Sequence, residues 1–266
     1  MERGKFESAK ENVLLDVFSG VYELPISQVR VLRTKYGDVS LASDSGFGGK
    51  RNEDRVFLDT ERSIFGVVDG IGGYERGDEA AEIVSKTILA ESVKGTDAHL
   101  VNARASSAMR MNGIFNGGAC YLYFTVEKKQ ITAFWAGDAR LIVLNESGEI
   151  MFSSRPTSLE KAPRGNFVGS VTSEVSDIMN GYIAIAATDG LWDNIDVSEI
   201  QKRVAGLRSG ETDILLKELY QRARQGMESG FETNYGDPAR ELVREHGKPD
   251  NLGIVVFQKL IREKSK

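Results

Sequence analysis

Acidic side chains recur in this sequence where apolar, strand-like runs begin or end, and glycine stands beside most of them. Asp69-Gly70 follows the run from Ile64 to Val68, and Asp138 follows Phe134-Trp135-Ala136-Gly137. Asp189-Gly190 follows the run from Ile183 to Thr188. Asp250-Asn251 directly precedes Leu252, and Asn52-Glu53-Asp54 directly precedes Val56-Phe57-Leu58. An acid at the end of a buried strand is held rigidly and faces the rim of its sheet. Several such acids converging repel one another unless a cation lies between them. Every candidate ligand here is an oxygen donor, which selects a hard divalent cation such as Mg²⁺ or Mn²⁺. Glycine beside an acid lets the backbone and its carbonyl come close to an ion. Any one Asp-Gly pair reads equally well as a common turn. Five acidic stations in the same strand-end context carry the reading.

The other reactive residue types point away from rival chemistries. The two histidines, His99 and His246, fall on a polar helix start and just before a Gly-Lys-Pro turn, so both read as surface residues. A Ser-His-Asp site would need one of them, and no G-x-S-x-G elbow is present. A zinc site built from Cys and His is poorly supplied. The single cysteine, Cys120, lies in the apolar run Ala-Cys-Tyr-Leu-Tyr-Phe and reads as a small buried residue. Gly70-Ile71-Gly72-Gly73 has the context of a dinucleotide fingerprint, but Glu75 stands where the third glycine is needed and Asp69 would face a pyrophosphate. No Gly-Lys-Ser/Thr phosphate loop occurs.

Lys plus Arg number 34 against 39 Asp plus Glu, and this net charge of -5 argues against function through bulk nucleic-acid or anionic-membrane attraction. One cysteine excludes an intrachain disulfide framework. No apolar run approaches the roughly 20 residues of a membrane span. The segment from Met1 to Asn12 is charged and lacks the apolar block of a signal peptide. A cytoplasmic protein, one large domain or two small ones, is the expectation.

The acids need a scaffold. Strand patterns cover 39–43, 55–59, 64–68, 119–127, 130–136, 140–145, 149–153, 171–176, 182–187 and 252–258. The segments 127–130 and 146–148 read as hairpin turns. Helical patterns cover 78–93, 97–111, 197–207, 211–228 and 238–246. Phe6, Val13, Leu14, Val17 and Phe18 fall near helical spacing, so a short amphipathic helix is expected in an N-terminal extension over 1–25. Hairpin connections predict antiparallel sheets with helices outside rather than a parallel βαβ sheet.

With these motifs in order, the sequence resembles the metal-dependent protein phosphatases, the PPM or type 2C family, across about residues 38–258. Ser43-Asp44-Ser45-Gly46 followed by Asn52-Glu53-Asp54 resembles the family's opening motif. Phe65-Gly66-Val67-Val68-Asp69-Gly70-Ile71-Gly72-Gly73 resembles its Asp-Gly-x-Gly-Gly motif. Gly117-Gly118-Ala119, Gly137-Asp138-Ala139-Arg140, Ala187-Thr188-Asp189-Gly190-Leu191-Trp192-Asp193 and Lys248-Pro249-Asp250-Asn251 complete the series. The resemblance implies an α+β fold in four layers, αββα, with two antiparallel sheets flanked by helices and a dinuclear site at one end. It implies a domain over 26–266 with a short flap at about 153–170. By position, Asp69 would bridge two Mg²⁺ or Mn²⁺ ions and Gly70 would offer its carbonyl. Asp189 and Asp250 would bind the first ion, so that Asp69, Asp189 and Asp250 form the catalytic set. Glu53 and Asp54 would hold metal-bound waters, and Asp138 with Asp189 matches a third-metal site found in some members. Asn251 would orient its neighbour. The implied reaction is hydrolysis of phosphoserine or phosphothreonine in a phosphoprotein by water poised between two metals.

Two departures bear on substrate. Gly49 stands where the family carries a phosphate-binding arginine, so Lys50 and Arg51 either supply that charge to substrate phosphate from a shifted loop or are solvated loop cations. Ile71 stands where many eukaryotic members have histidine. The flap segment is short and made basic by Arg155, Lys161 and Arg164, which either leaves it a solvated loop or lets it guide a phosphopeptide. The alternatives are a catalytically impaired pseudophosphatase or adaptor, and a metal-dependent phosphatase of small molecules. Oligomeric state is not readable from these residues.

Overall fold

In this computed structural model, the described residues are 4–7, 14–46, 51–71, 76–92, 97–157, 159–161, 167–169, 172–177, 181–233 and 243–259. In chain order the strands are β1 Gly4–Glu7, β2 Leu14–Val17, β3 Ser19–Tyr22, β4 Leu32–Arg33, β5 Gly37–Asp44, β6 Asp54–Asp59 and β7 Ile64–Gly70. Helices α1 Gly77–Glu91 and α2 Ala98–Met111 follow, then β8 Ala119–Val126, β9 Gln130–Ala136, β10 Arg140–Asn145 and β11 Ile150–Ser153. Next come β12 Leu159–Lys161, β13 Phe167–Gly169, β14 Thr172–Asp177 and β15 Tyr182–Ala187. The chain closes with α3 Asp189–Trp192, α4 Val197–Val204, α5 Thr212–Ser229, β16 Phe231–Thr233, β17 Val243–Glu245 and β18 Leu252–Lys259.

Two six-stranded antiparallel sheets carry the fold. The first runs β11-β10-β15-β18-β5-β4 and the second β14-β9-β8-β7-β6-β3. The period of two along each strand decides which layer a side chain joins. On β7, Phe65 and Val67 enter the core between the sheets, while Ile64 and Val68 face α1 and α2. On β15, Tyr182, Ala184 and Ala186 point between the sheets, and Ile183, Ile185 and Ala187 pack on the α3–α5 side. Both faces of these strands are therefore apolar, and both are covered. The result is the expected four-layer αββα sandwich, a sheet-on-sheet core enclosed by helices.

The local signals account for most boundaries. Asp97 caps α2 by accepting from the His99 backbone N–H at 2.9 Å, which places His99 at a helix start, as its sequence context predicts. Asp196 caps α4 in the same way through Ser198. The turn between β8 and β9 closes through Glu127 N–H to Gln130 O at 2.8 Å. In the turn before β11, the Asn145 side-chain oxygen accepts from the backbone N–H groups of both Ser147 and Glu149.

Two expectations are corrected. Among the described residues of 1–25 there is no helix, and Val13 lies outside them: β1 and β2 form an antiparallel pair with Phe6 opposite Leu15, and β3 pairs with β6 at the edge of the second sheet. A few apolar residues fit either period, and partners elsewhere in the chain settle it. The helix expected over 238–246 is replaced at Val243–Glu245 by a strand pairing with β16; residues 238–242 lie outside the described set. The one-turn helix α3, directly after β15, was not anticipated by the strand and helix patterns.

Candidate metal centre

Four strand ends converge at one rim of the sandwich. Asp54 opens β6 and Asp69 closes β7, and antiparallel register sets the two directly opposite each other. The next strand places Cys120 opposite Asp69. Asp138 follows β9, and donor atoms of Asp69, Cys120 and Asp138 all lie within 4.8 Å of one another. These residues come from the second sheet.

The first sheet brings Asp189, at the head of α3, and Asp250, just before β18. The two sheets are tied together at this point. The Thr188 hydroxyl donates to Asp54 Oδ2 at 2.7 Å and accepts from the Gly253 N–H at 3.0 Å. Asn251 accepts from the Glu53 N–H at 2.9 Å, donates to Ser45 O at 3.2 Å, and uses its own N–H to hold Asp250 Oδ1 at 2.9 Å. Gly70 N–H donates to Glu53 O at 3.2 Å. The Glu53 carboxylate lies against Gly77, the first residue of α1, where the partial positive charge of the helix start favours an anion.

Glycine is required beside two of the acids. A Cβ on Gly70 would come within 2.1 Å of Gly77 O, and one on Gly190 within 1.8 Å of Asn251 O. The Asp-Gly pairs of the sequence therefore mark places where one backbone passes directly over another.

The electrostatics follow from this crowding. Burial, then the charges of Asp54, Asp189, Asp250 and Asp138, push the Asp69 carboxyl well above its ordinary range. Burial likewise raises Asp54, against the Thr188 hydrogen bond, with Asp189 and Asp250 adding to the rise. Asp189 is raised to about 6 by burial, opposed by the Lys248 hydrogen bond. Burial and the neighbouring Asp138 and Asp69 charges also push the Cys120 thiol up. A cluster of this kind is stable as a set of carboxylates only with positive charge among them. The donors that converge are oxygens, with Cys120 the one sulfur beside them. That set fits Mg²⁺ or Mn²⁺.

The structure thus brings together Asp54, Asp69, Asp138, Asp189 and Asp250, with Gly70, Glu53 and Asn251 at the same rim. Arg51 is 70% exposed and pairs with Asp78 Oδ2 at 2.5 Å; Lys50 and Gly49 lie outside the described residues. In the flap segment, β12 and β13 pair with each other; Arg164 lies outside the described residues.

Three participants were not singled out from the sequence for this site. Cys120 is buried as expected, but its sulfur faces Asp69 and Asp138. Thr188 links the two sheets. Lys248 places its ammonium on Asp189, with Asp193 Oδ2 at 3.1 Å and Asp250 Oδ2 at 3.6 Å. The signal for Lys248 was its position two residues before Asp250. Beside Lys248 opens a groove of about 620 Å³ lined by Arg140, Trp192, Asp193 and Phe231 among others, with the Arg140 guanidinium over the Trp192 ring. No helix among the described residues is long and apolar enough to cross a membrane.

No family model matches the chain. Among curated proteins, it is 27% identical over 229 residues to the probable protein phosphatase 2C 80 of Arabidopsis thaliana, covering 77% of this chain and 53% of that protein. It is 26% identical over 225 residues to the probable protein phosphatase 2C 55 of the same plant, covering 77% and 47%. The Drosophila melanogaster protein phosphatase PTC7 homolog fig is 24% identical over 250 residues, 79% of each chain. The chain spans about half the length of the first two relatives. Among solved structures, the Mycobacterium tuberculosis serine/threonine phosphatase PstP/Ppp superposes with a TM-score of 0.62 at 18% identity, covering 87% of this chain and 100% of that one. RsbX in complex with magnesium gives 0.61 at 19%, covering 87% and 100%. The catalytic domain of PstP with 2 manganese ions gives 0.60 at 18%, covering 87% and 99%. The chain is therefore similar in sequence to type 2C protein phosphatases and shares the sandwich fold of solved phosphatases of that kind.

Proposed function

We propose that this chain is a Mg²⁺- or Mn²⁺-dependent phosphatase that hydrolyses phosphoserine or phosphothreonine in proteins. One observation carries the proposal: both sheets deliver carboxylates to a single rim, where Asp69 feels the charge of Asp54, Asp138, Asp189 and Asp250 together. The names of the curated relatives and the PstP structure with 2 manganese ions support the same reading. Two divalent cations, when bound, supply the charge that ionises water near neutral pH and offsets the charge of the transferring phosphoryl group.

The residues that would hold them divide by sheet. Asp69, with the Gly70 carbonyl beside it, would be shared between the two cations. Asp189 and Asp250 would hold the first of them. Glu53 and Asp54 would hold metal-bound water, and Asp138 with Asp189 could take a third cation. Asn251 fixes the rims of both sheets to each other, through the Glu53 N–H and the Asp250 carboxylate. Arg51, mostly in solvent, can exchange Asp78 for two phosphate oxygens, and Lys50 beside it would add a point charge. Packing of the sheet rim excludes bulk water from Asp54, which is 1% exposed, so its carboxylate is ordered before any substrate arrives.

The test is hydrolysis of a phosphothreonine peptide with and without Mn²⁺, beside p-nitrophenyl phosphate, nucleoside monophosphates and an Asp250→Asn control. The expected result is peptide turnover that requires both the metal and Asp250. Turnover of nucleotides with none of the peptide would move the substrate class to small molecules. Mn²⁺ binding without turnover of any substrate would overturn the enzyme reading.

A further inference from the structure

Lys248 brings a positive charge to the acids that were expected to hold metal, a role its motif had not suggested. Its ammonium contacts Asp189 and Asp193 and reaches Asp250 Oδ2 at 3.6 Å, so it touches both carboxylates that the first sheet contributes to the proposed centre. The placement is built rather than incidental. Buried Asn194 accepts from the Lys248 N–H at 2.8 Å and donates to Lys248 O at 2.9 Å. The same amide nitrogen donates to Gly190 O at 2.9 Å, directly after Asp189. The backbone of Lys248 is thus clamped to the turn that carries Asp189, and α5 backs the clamp: a Cβ on Gly226 would come within 2.1 Å of Asn194 O. From that fixed root the four-carbon stem carries the charge back onto the acids, while the side chain stays 53% exposed and free to leave.

We propose that Lys248 is an internal counter-cation that competes with the divalent metal for the Asp189–Asp250 half of the centre. This rests on the metal-centre reading above. The ammonium occupies lone pairs of Asp189 Oδ2 and Asp250 Oδ2 and adds positive charge where a divalent ion would bind, so the two compete there. The other half differs, because Asp54 is held by Thr188 and by Asp69 rather than by a side-chain ammonium. The lysine therefore sets metal binding at the Asp189–Asp250 half to a higher metal concentration than those carboxylates alone would need. Between metal-bound states the same ammonium keeps the acids neutralised and the rim in place.

Isothermal titration of Mn²⁺ into the metal-stripped full chain tests this, using wild type, Lys248→Met, Lys248→Gln and Lys248→Arg, with Asp189→Asn to mark the site. The class of sites that Asp189→Asn removes should tighten about fivefold in the Met and Gln variants, which is about 1 kcal/mol, and stay near wild type in Arg. Thermal unfolding gives a second readout. The Met variant should melt lower than wild type without metal and no lower with saturating Mn²⁺, because the metal takes over the neutralisation. A purely structural lysine would lower both melting temperatures. Unchanged or weaker Mn²⁺ affinity in both the Met and Gln variants would overturn the competition while leaving the metal centre standing. Absence of Mn²⁺ binding in wild type, or binding indifferent to Asp189→Asn, would overturn the metal centre itself.

Discussion

The carboxylates from the second sheet and those from the first are held by different means. Asp54 and Asp69 sit inside hydrogen-bonded strands, opposite each other, and burial dominates their electrostatics. Asp189 and Asp250 lie just beyond strand ends, on a single helical turn and a loop, and a half-exposed lysine neutralises them. One half is rigid and short of positive charge; the other is adjustable and brings its own. In the proposed centre, the sheet would fix the geometry and the loop would tune the occupancy. It also shows why a pair of sheets suits such a centre: each rim alone offers too few donors, and only face-to-face packing makes them converge.

That contrast can be tested hardest at Asp69. Asp69→Asn should cut peptide turnover by more than about a hundredfold, beyond the 10- to 100-fold usual for residues that only support a ligand. The same variant should melt higher than wild type without metal, since it removes a buried, repelled carboxylate. Loss of stability in metal-free Asp69→Asn would show that the second-sheet half is not charge-strained.

Thr188→Val addresses the joint between the halves. It preserves shape but leaves the Gly253 N–H without its acceptor and Asp54 without its donor. Denaturant unfolding should show a loss of roughly 1–3 kcal/mol, and turnover should fall about tenfold. If turnover is unchanged, Asp54 does not need the first sheet to position it.

The pH response sharpens the comparison at Asp189. Its folded pKa, about 6, is raised above its ordinary 3.8, so the folded state binds the extra proton and stability contributed by that group is lost as pH rises from 3.8 to 6. Metal-free protein should lose roughly 2 kcal/mol across that window from this group. Thermal unfolding should show the loss shrinking in Asp189→Asn and in wild type with Mn²⁺. An Asp189→Asn profile identical to wild type would remove Asp189 from the strained cluster.

The smallest effect is expected outside both halves, at Arg51. Arg51→Ala should raise KM a few-fold with kcat nearly unchanged, and shift stability by less than about 1 kcal/mol because the Asp78 pair is exposed on the arginine side. A kcat loss with constant KM would place Arg51 in the chemical step instead.

The residue order alone determined the strands that alternate and end in acids. The patterns around Phe65, Leu122, Ile142, Ile185 and Val256 carry both their period and their termini locally, so β7, β8, β10, β15 and β18 were legible with boundaries shifted by at most two residues. The Asp-Gly pairs at Asp69 and Asp189 were legible for the same reason: a glycine demanded by close backbone approach leaves its mark in the sequence. The order of motifs also carried the resemblance to type 2C phosphatases. What tertiary structure decided is everything that depends on a distant partner. The residues around Phe6 and Leu15 form strands because they pair with each other, and Val243–Glu245 is a strand because Phe231–Thr233 lies beside it. Cys120 meets Asp138 because strands β8 and β9 pair and Gly137 turns tightly at their end, with φ of +99°. Lys248 faces Asp189 across 59 positions of sequence because Asn194 clamps its backbone. Periodicity and turn chemistry are local and can be read along the chain; convergence of charge is a property of packing, and it appears only when the sheets are face to face.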